Sequence, residues 1–433
     1  MNKTKKILSV VLAIMLIVSI IPVGSAFAAS DNDGKWVSAW STSPIDASLN
    51  DLGLLDQIGV PIALASSRVT IQSTATGSQI RLTFSNQYGT LPMTISGCTV
   101  AKATDDHRVI DSDSRETVRF GGKILKIIPA GQVVTSDPIS MDVVAGEELT
   151  VTTYFRGLNV MRTIGLIGGD SYVSPGNFTY LKTMYTGINL KFEADSGSYE
   201  IIPSLIGMDV KADNDTGVCV IFGDSTVANE IPRLLEAKLQ ANGITNVSVT
   251  QEAIKGNRLI ADGMGAAAKL LGKAGVDRFQ QEVLGQAGVK YVIVKLGIND
   301  VVHPHCESKI EKGIQPVSLE EMIAGYNQLI AMAHNAGVKI YFCELTPWEG
   351  YTRNVFGAGD DVQWCEEFDQ LRVDINAWFA SSDCAADGWI DMSGMADPSH
   401  PTQLIPEQSP DGIHHNAYGQ ANFVSLVPVD IFK

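Results

Sequence analysis

Val220-Ile221-Phe222-Gly223-Asp224-Ser225-Thr226-Val227-Ala228-Asn229 is the stretch that decides the fold of this 433-residue chain. A continuous apolar run stops at Gly223-Asp224-Ser225, and residues 230–240 then take helical spacing that closes at Asn242-Gly243. A strand that is apolar on both faces belongs in a sheet covered on both sides. The same grammar recurs downstream: strand at 246–251, helix at 262–286, strand at 291–296, helix at 319–335 ending at Gly337, strand at 338–345. Strands alternating with helices predict a parallel sheet between two helical layers over 217–433. Ligands bind such sheets beyond the carboxyl ends of the strands, so Ser225, Asn299 and the 346–364 loop should share one rim.

Upstream the pattern differs. Residues 68–73, 79–85, 139–144 and 149–155 alternate apolar with polar side chains and are rich in β-branched types. Gly, Asn and Asp turns separate them, and no strongly periodic long helix intervenes. A β-sandwich is expected over 35–210, with a boundary in the polar stretch 211–216. The chain opens Met1-Asn2-Lys3-Thr4-Lys5-Lys6, runs apolar from Ile7 to Val23, and exits through Ala26-Phe27-Ala28. Basic start, apolar stretch and small-residue exit predict a secretory signal peptide at 1–28, leaving an extracellular protein with no stable membrane association. Roughly 400 mature residues are too many for one ordinary core, so two domains are expected.

Charge narrows the partners. The net charge is −16, and loss of Lys3, Lys5 and Lys6 with the leader makes it three units more negative. That balance repels phosphate backbones and anionic headgroups, so nucleic acid is not an expected partner. There are six cysteines. Cys219 and Cys343 sit in apolar strand-like runs and read as buried and free, while Cys365 with Cys384 is the pair expected to bridge. There is no C-x-x-C, and His303-Pro304-His305-Cys306 reads as a solvated turn before it reads as a metal site, so no metal is expected.

Four short blocks fall on the predicted rim. Gly223-Asp224-Ser225 could present a nucleophile on a sharp strand-to-helix turn, or simply cap the helix. The five-residue elbow G-x-S-x-G is absent, because Val227 holds its last position. Gly256, in Ala253-Ile254-Lys255-Gly256-Asn257-Arg258, lets backbone approach a ligand. Asn299, in Leu296-Gly297-Ile298-Asn299-Asp300, can aim an amide over the rim. Asp411-Gly412-Ile413-His414 places an acid three residues before a histidine, the spacing at which it can hold Nδ1–H and leave Nε2 as a base.

Taken together and in this order, the blocks resemble those of the SGNH hydrolases, also called GDSL esterases and lipases. The likeness covers nearly the whole second half. The first half, through Trp36-Val37-Ser38-Ala39-Trp40-Ser41-Thr42-Ser43-Pro44 and Leu82-Thr83-Phe84-Ser85-Asn86-Gln87-Tyr88-Gly89, is similar to the β-rich domain ahead of this catalytic domain in some secreted bacterial members. Thr226, where Ile or Leu is usual, Lys255, where Ser is common, and His415, often Pro, depart from the pattern. The resemblance implies a three-layer α/β/α, flavodoxin-like domain after the β-sandwich. It implies Ser225 as nucleophile, His414 as base, Asp411 as its orienting acid, and an oxyanion hole from Ser225 N–H, Gly256 N–H and the Asn299 amide. It implies no metal or organic cofactor, and a rate that falls as the histidine base takes up its proton on acidification.

The expected reaction is hydrolysis of a carboxylic ester through an acyl-enzyme. Polar loops at 302–318, 346–364 and 392–410, with the acidic surface, favour a small-molecule or glycan ester, short-acyl or acetylated. Alternatives are a lipase or lysophospholipase acting on lipid esters, a glycan-binding protein with residual activity, and acyl transfer to a second alcohol.

Overall fold

The computed structural model describes residues 34–433 except 49–59, 167, 195–196, 229, 264–267, 306–315 and 352–363. The segment 1–28, expected as a signal peptide, therefore lies outside the described residues, as do Cys306 and most of the 346–364 loop.

Period-two alternation builds most of the first half into two large antiparallel sheets. One contains β1 (Lys35–Ser41), β3 (Gly77–Ser85), β7 (Ile139–Val143) and β11 (Leu205–Ala212), in the order β1-β11-β3-β7, with β6 (Val133–Thr135) also on β3. The other contains β2 (Val60–Gln72), β4 (Gly97–Lys102), β5 (Glu116–Thr117), β8 (Glu148–Met161), β9 (Asp170–Pro175) and β10 (Ile188–Asn189), in the order β10-β9-β2-β8-β4-β5. Ile80, Leu82 and Phe84 of the first sheet share one buried cluster with Val69, Ile71, Leu149 and Val151 of the second. That is the packing of a sandwich.

The second half is a five-stranded parallel sheet. Its strands are β12 (Gly217–Gly223), β13 (Val247–Ala253), β14 (Val289–Lys295), β15 (Lys339–Cys343) and β16 (Gly388–Ile390), ordered β13-β12-β14-β15-β16. The helices are α1 (Ile231–Ala241), α2 (Gly275–Glu282), α3 (Ile298–Val302), α4 (Leu319–Asn335), α5 (Glu366–Phe379) and α6 (Ala417–Leu426). Side-chain alternation along each strand assigns the two faces. Val218, Val220 and Phe222 of β12 pack with Phe279, Tyr326, Leu329 and Phe379 of α2, α4 and α5. Cys219 and Ile221, one residue out of phase, pack with Leu235, Leu239 and Phe423 of α1 and α6. The three-layer arrangement expected from the continuous apolar strands is thus present. Chain direction reverses its lateral step between β12 and β14, the point where ligands gather in this class of sheet.

Two expectations are corrected. The helix expected over 262–286 is described only at Gly275–Glu282, and residues 268–270 form turns instead. Gly272 breaks the pattern with φ +77°, outside the helical region for any L-residue. The Cys365–Cys384 bridge is absent: both thiols are free, as are the buried Cys219 and Cys343. Cys365 caps the start of α5 and Cys384 follows its end. A helix of this length separates its ends by about 20 Å, whereas bridged Cα atoms lie within ~7 Å.

From Lys35 to Lys433 the chain forms a single compact unit. β1 runs against β13 along a polar seam. Ser41 Oγ donates to Gln251 O at 3.0 Å, Ser248 Oγ donates to Ser38 O at 2.7 Å, and Ser43 Oγ donates to Glu252 Oε2 at 2.7 Å. The serines of the 36–44 stretch therefore satisfy buried polar groups of the second half. Among the described residues no helix is long and apolar enough to cross a membrane.

Candidate active site

β12 ends at Gly223, and a single 3-10 turn, Ser225–Val227, follows at once. Asp224 caps this turn. Its Oδ1 accepts from the Thr226 N–H at 2.9 Å and from the Thr226 hydroxyl at 2.8 Å. The two readings of Gly223-Asp224-Ser225 are thus divided between neighbours: Asp224 is the buried cap, and Ser225 is left half-buried with its hydroxyl free to face another group.

That group is His414. Ser225 Oγ lies 2.9 Å from His414 Nε2, and His414 Nδ1 lies 2.6 Å from Asp411 Oδ2. With Nδ1–H donated to the carboxylate, Nε2 is left as acceptor for the serine hydroxyl. The Asp411 Oδ1 accepts from the backbone N–H of Ile413 at 3.2 Å and of His414 at 2.8 Å. One carboxylate therefore folds its own turn and orients the ring it serves. Burial works to raise Asp411, but the hydrogen bond and charge of His414 and the two N–H groups outweigh it and hold the carboxyl below its ordinary range. Tyr351 meets the His414 ring edge-on, with centroids 6.2 Å apart.

Asn299 opens α3 directly beyond β14 and is almost fully buried. Its Nδ2 donates to Asn257 O at 2.9 Å. An amide nitrogen carries two hydrogens, so one remains for another acceptor. Gly256 precedes Asn257 with φ +74°, and a Cβ there would lie 2.5 Å from Leu271 Cδ2. Only glycine fits this bend.

The sequence reading did not single out three residues that hold these loops. The Asn257 side chain donates to Leu271 O and Lys273 O at 2.8 and 2.7 Å. Asp300 accepts from the N–H groups of Leu259 and Ile260 at 2.7 and 3.2 Å. Arg278, on α2, donates to Asn257 Oδ1, to Gly223 O and to Glu252 O at 3.0, 3.1 and 3.0 Å. It thereby ties the strand end before Ser225 to the loop that carries Gly256. A buried arginine among apolar neighbours is visible in sequence only as a charge on the inner side of a short helix, and its partners lie far away in the chain.

Arg278 also donates to Glu282 at 2.8 Å, and the side chains of Glu252 and Glu282 are both buried. Burial, and then the charge of Glu282, push Glu252 up to about 8; burial also raises Glu282. One guanidinium does not offset two desolvated carboxylates. A raised carboxyl keeps in the folded state a proton that the unfolded chain releases near its ordinary value of 4.5. Stability is then fully present at low pH and falls as pH rises through that window toward about 8. Glu252→Gln is expected to flatten this slope. Urea unfolding at pH 5 and pH 8 should show the variant losing roughly 3–4 kcal/mol less than wild type between them. Equal slopes would show Glu252 ionised in the folded protein.

Other sequence candidates fall elsewhere. His303 is buried, which drives it down to about 3 and keeps it neutral, and His305 stacks on Phe368 at 3.5 Å. His415 is buried and stacks on Phe423. Lys255 is buried beside Gly256. Trp348 is fully buried and Trp364 partly so.

Residues 221–421, which hold all four blocks, match the model of the GDSL-like lipase/acylhydrolase family. The chain carries a GDSL-like acylhydrolase domain. Its activity class is that of a carboxylic ester hydrolase. Among solved structures, a GDSL-like lipase from Bacteroides thetaiotaomicron is 15% identical over 48% of this chain and 84% of its own, with a TM-score of 0.34. An acetylxylan esterase from Geobacillus stearothermophilus is 16% identical over 49% and 94%, with a TM-score of 0.34. Another acetyl xylan esterase is 17% identical over 48% and 96%, with a TM-score of 0.33. Among curated proteins none matches the chain. These likenesses name no substrate for the GDSL-like domain.

Proposed function

We propose that the protein is a secreted serine esterase that hydrolyses short-acyl esters, acetylated carbohydrate among them, through an acyl-enzyme on Ser225. The observation that carries this reading is the unbroken chain from Ser225 Oγ through His414 to Asp411. Ser225 Oγ attacks the ester carbonyl carbon while its proton passes to His414 Nε2. The carbonyl oxygen becomes an oxyanion, which the Ser225 and Gly256 N–H groups and the second Asn299 amide hydrogen stabilise. The intermediate collapses, and His414 returns the proton to the departing alcohol. Water, deprotonated by the same histidine, then releases the acid and restores the serine. Asp411 stabilises the imidazolium in both halves.

The substrate class rests on charge. A surface this acidic is repelled by anionic lipid headgroups, whereas it costs nothing toward a soluble, neutral ester. The test is hydrolysis of p-nitrophenyl esters from acetyl to palmitoyl by protein collected from the culture medium, where its N-terminus is expected at Ala29. The rate should be highest for acetyl and drop at least tenfold beyond butyryl. A maximum at long chains would make it a lipid esterase instead, and product retained in the cytoplasm would remove the secretion proposal.

A further inference from the structure

Lys295 ends β14 in register with Gly223 at the end of β12. Its side chain is fully buried, beneath the turn that carries Ser225. Its ammonium donates to Thr226 Oγ1 at 3.2 Å and to Thr346 Oγ1 at 3.3 Å. Among the described residues it makes no direct ion pair. Thr226 passes the contact on, because its hydroxyl donates to Asp224 Oδ1, the oxygen that also caps the turn. Asp224 is itself wholly buried, and its Oδ2 accepts no hydrogen bond from the described residues.

Two opposite charges are thus held out of water and joined through a hydroxyl. As a pair such an arrangement contributes little to stability, since burial costs each ion several kcal/mol and apolar side chains in place of both would fill the space as well. Its place suggests what it does. Burial pushes the Asp224 carboxyl up, and the foremost influence pulling it back is the charge of Lys295. Removal of that charge would let Asp224 take up a proton and weaken its grip on the Thr226 N–H. Thr226 is also one of the three positions noted above at which the chain departs from the pattern it resembles. With an aliphatic side chain there the relay could not form.

We propose that Lys295 is a positioning residue for the nucleophile: through the Thr226 hydroxyl it holds Asp224 in place as the cap of the Ser225–Val227 turn, and so fixes Ser225 Oγ on His414 Nε2. The inference rests on Ser225 being the nucleophile. It assigns no contact with substrate to Lys295, so its effect belongs in kcat and not in KM.

The experiment measures kcat and KM for p-nitrophenyl acetate, with thermal unfolding as a folding control. Lys295→Met is expected to lower kcat about 30-fold with KM within twofold when assayed below its unfolding temperature, which should fall because Asp224 is left buried without its counter-charge. Thr226→Val, which keeps the shape and loses the hydroxyl, should lower kcat about tenfold, and Thr226→Ser should recover to within about threefold of wild type. Lys295→Met combined with Asp224→Asn should be no slower than Asp224→Asn alone, because both remove one linkage. The proposal is overturned if Thr226→Val retains full kcat, if losses fall in KM, or if the Lys295 and Asp224 effects multiply. Ser225→Ala is assayed alongside. Active Lys295→Met with inactive Ser225→Ala removes only this proposal; an active Ser225→Ala removes the nucleophile itself.

Discussion

Ser225→Ala is expected to lower kcat for p-nitrophenyl acetate by at least ~10⁴-fold, with KM changed less than threefold. The hydroxyl contacts only His414 among the hydrogen bonds described for it, so its removal leaves the fold intact. Asp224 caps the turn through Thr226 and not through Ser225, and that cap survives the substitution. His414 keeps its bond to Asp411 and could still direct a water, which accounts for whatever rate remains. The split between kcat and KM is the informative part. A nucleophile that bonds to substrate only in the reaction leaves ground-state binding alone. More than a tenth of wild-type kcat in the variant would place the chemistry on another residue and reduce Ser225 to part of a capped turn.

The legible part of this fold was what depends on local pattern. Val220, Ile221 and Phe222 read as a strand covered on both faces because neither phase of the alternation is polar, and the two phases do pack on different helical layers. The 319–335 helix was readable to the residue because its start carries a capping box, Ser318 with Glu321, and Gly337 follows its end. Asp411 and His414 were readable together because they sit in one turn. What stayed hidden depends on distance across the fold. The 262–286 pattern looked helical because apolar spacing continues past Gly272, whose backbone conformation a pattern of side chains does not encode. The bond from Arg278 to Gly223, and that from Ser43 to Glu252, join residues 55 and 209 positions apart. No periodicity links such pairs. Lys295 gave a faint signal, a charge at the end of an apolar run, but its meaning required Thr226 and Asp224 to be seen beneath the same turn. The first half gained a role in the same way. It was expected as a sandwich ahead of the parallel sheet, and Ser43, just past its first strand, supplies the hydroxyl that donates to buried Glu252 and accepts from buried Arg278.

Asn299→Ala is expected to lower kcat 10²- to 10³-fold, again with KM nearly unchanged. The amide donates one hydrogen to Asn257 O, which fixes the side chain before substrate arrives. Asp300 holds the 259–260 backbone from the adjacent position, and Arg278 holds the Asn257 side chain. The free hydrogen is therefore aimed by three anchors and needs no reorganisation as charge develops on the carbonyl oxygen. Part of any loss could come from slackening the Asn257 loop instead. Asn299→Asp separates the two effects. The carboxylate is the same size, but it cannot donate to Asn257 O or to an oxyanion, and it brings a negative charge to both. If donation to the oxyanion dominates, Asn299→Asp is slower than Asn299→Ala by a further factor of about ten, while both stay folded. If loop slackening dominates, the rates track the fall in unfolding temperature. Less than a tenfold loss in Asn299→Ala would leave oxyanion stabilisation to the Ser225 and Gly256 N–H groups alone, and the asparagine would be a helix opener that happens to face the rim.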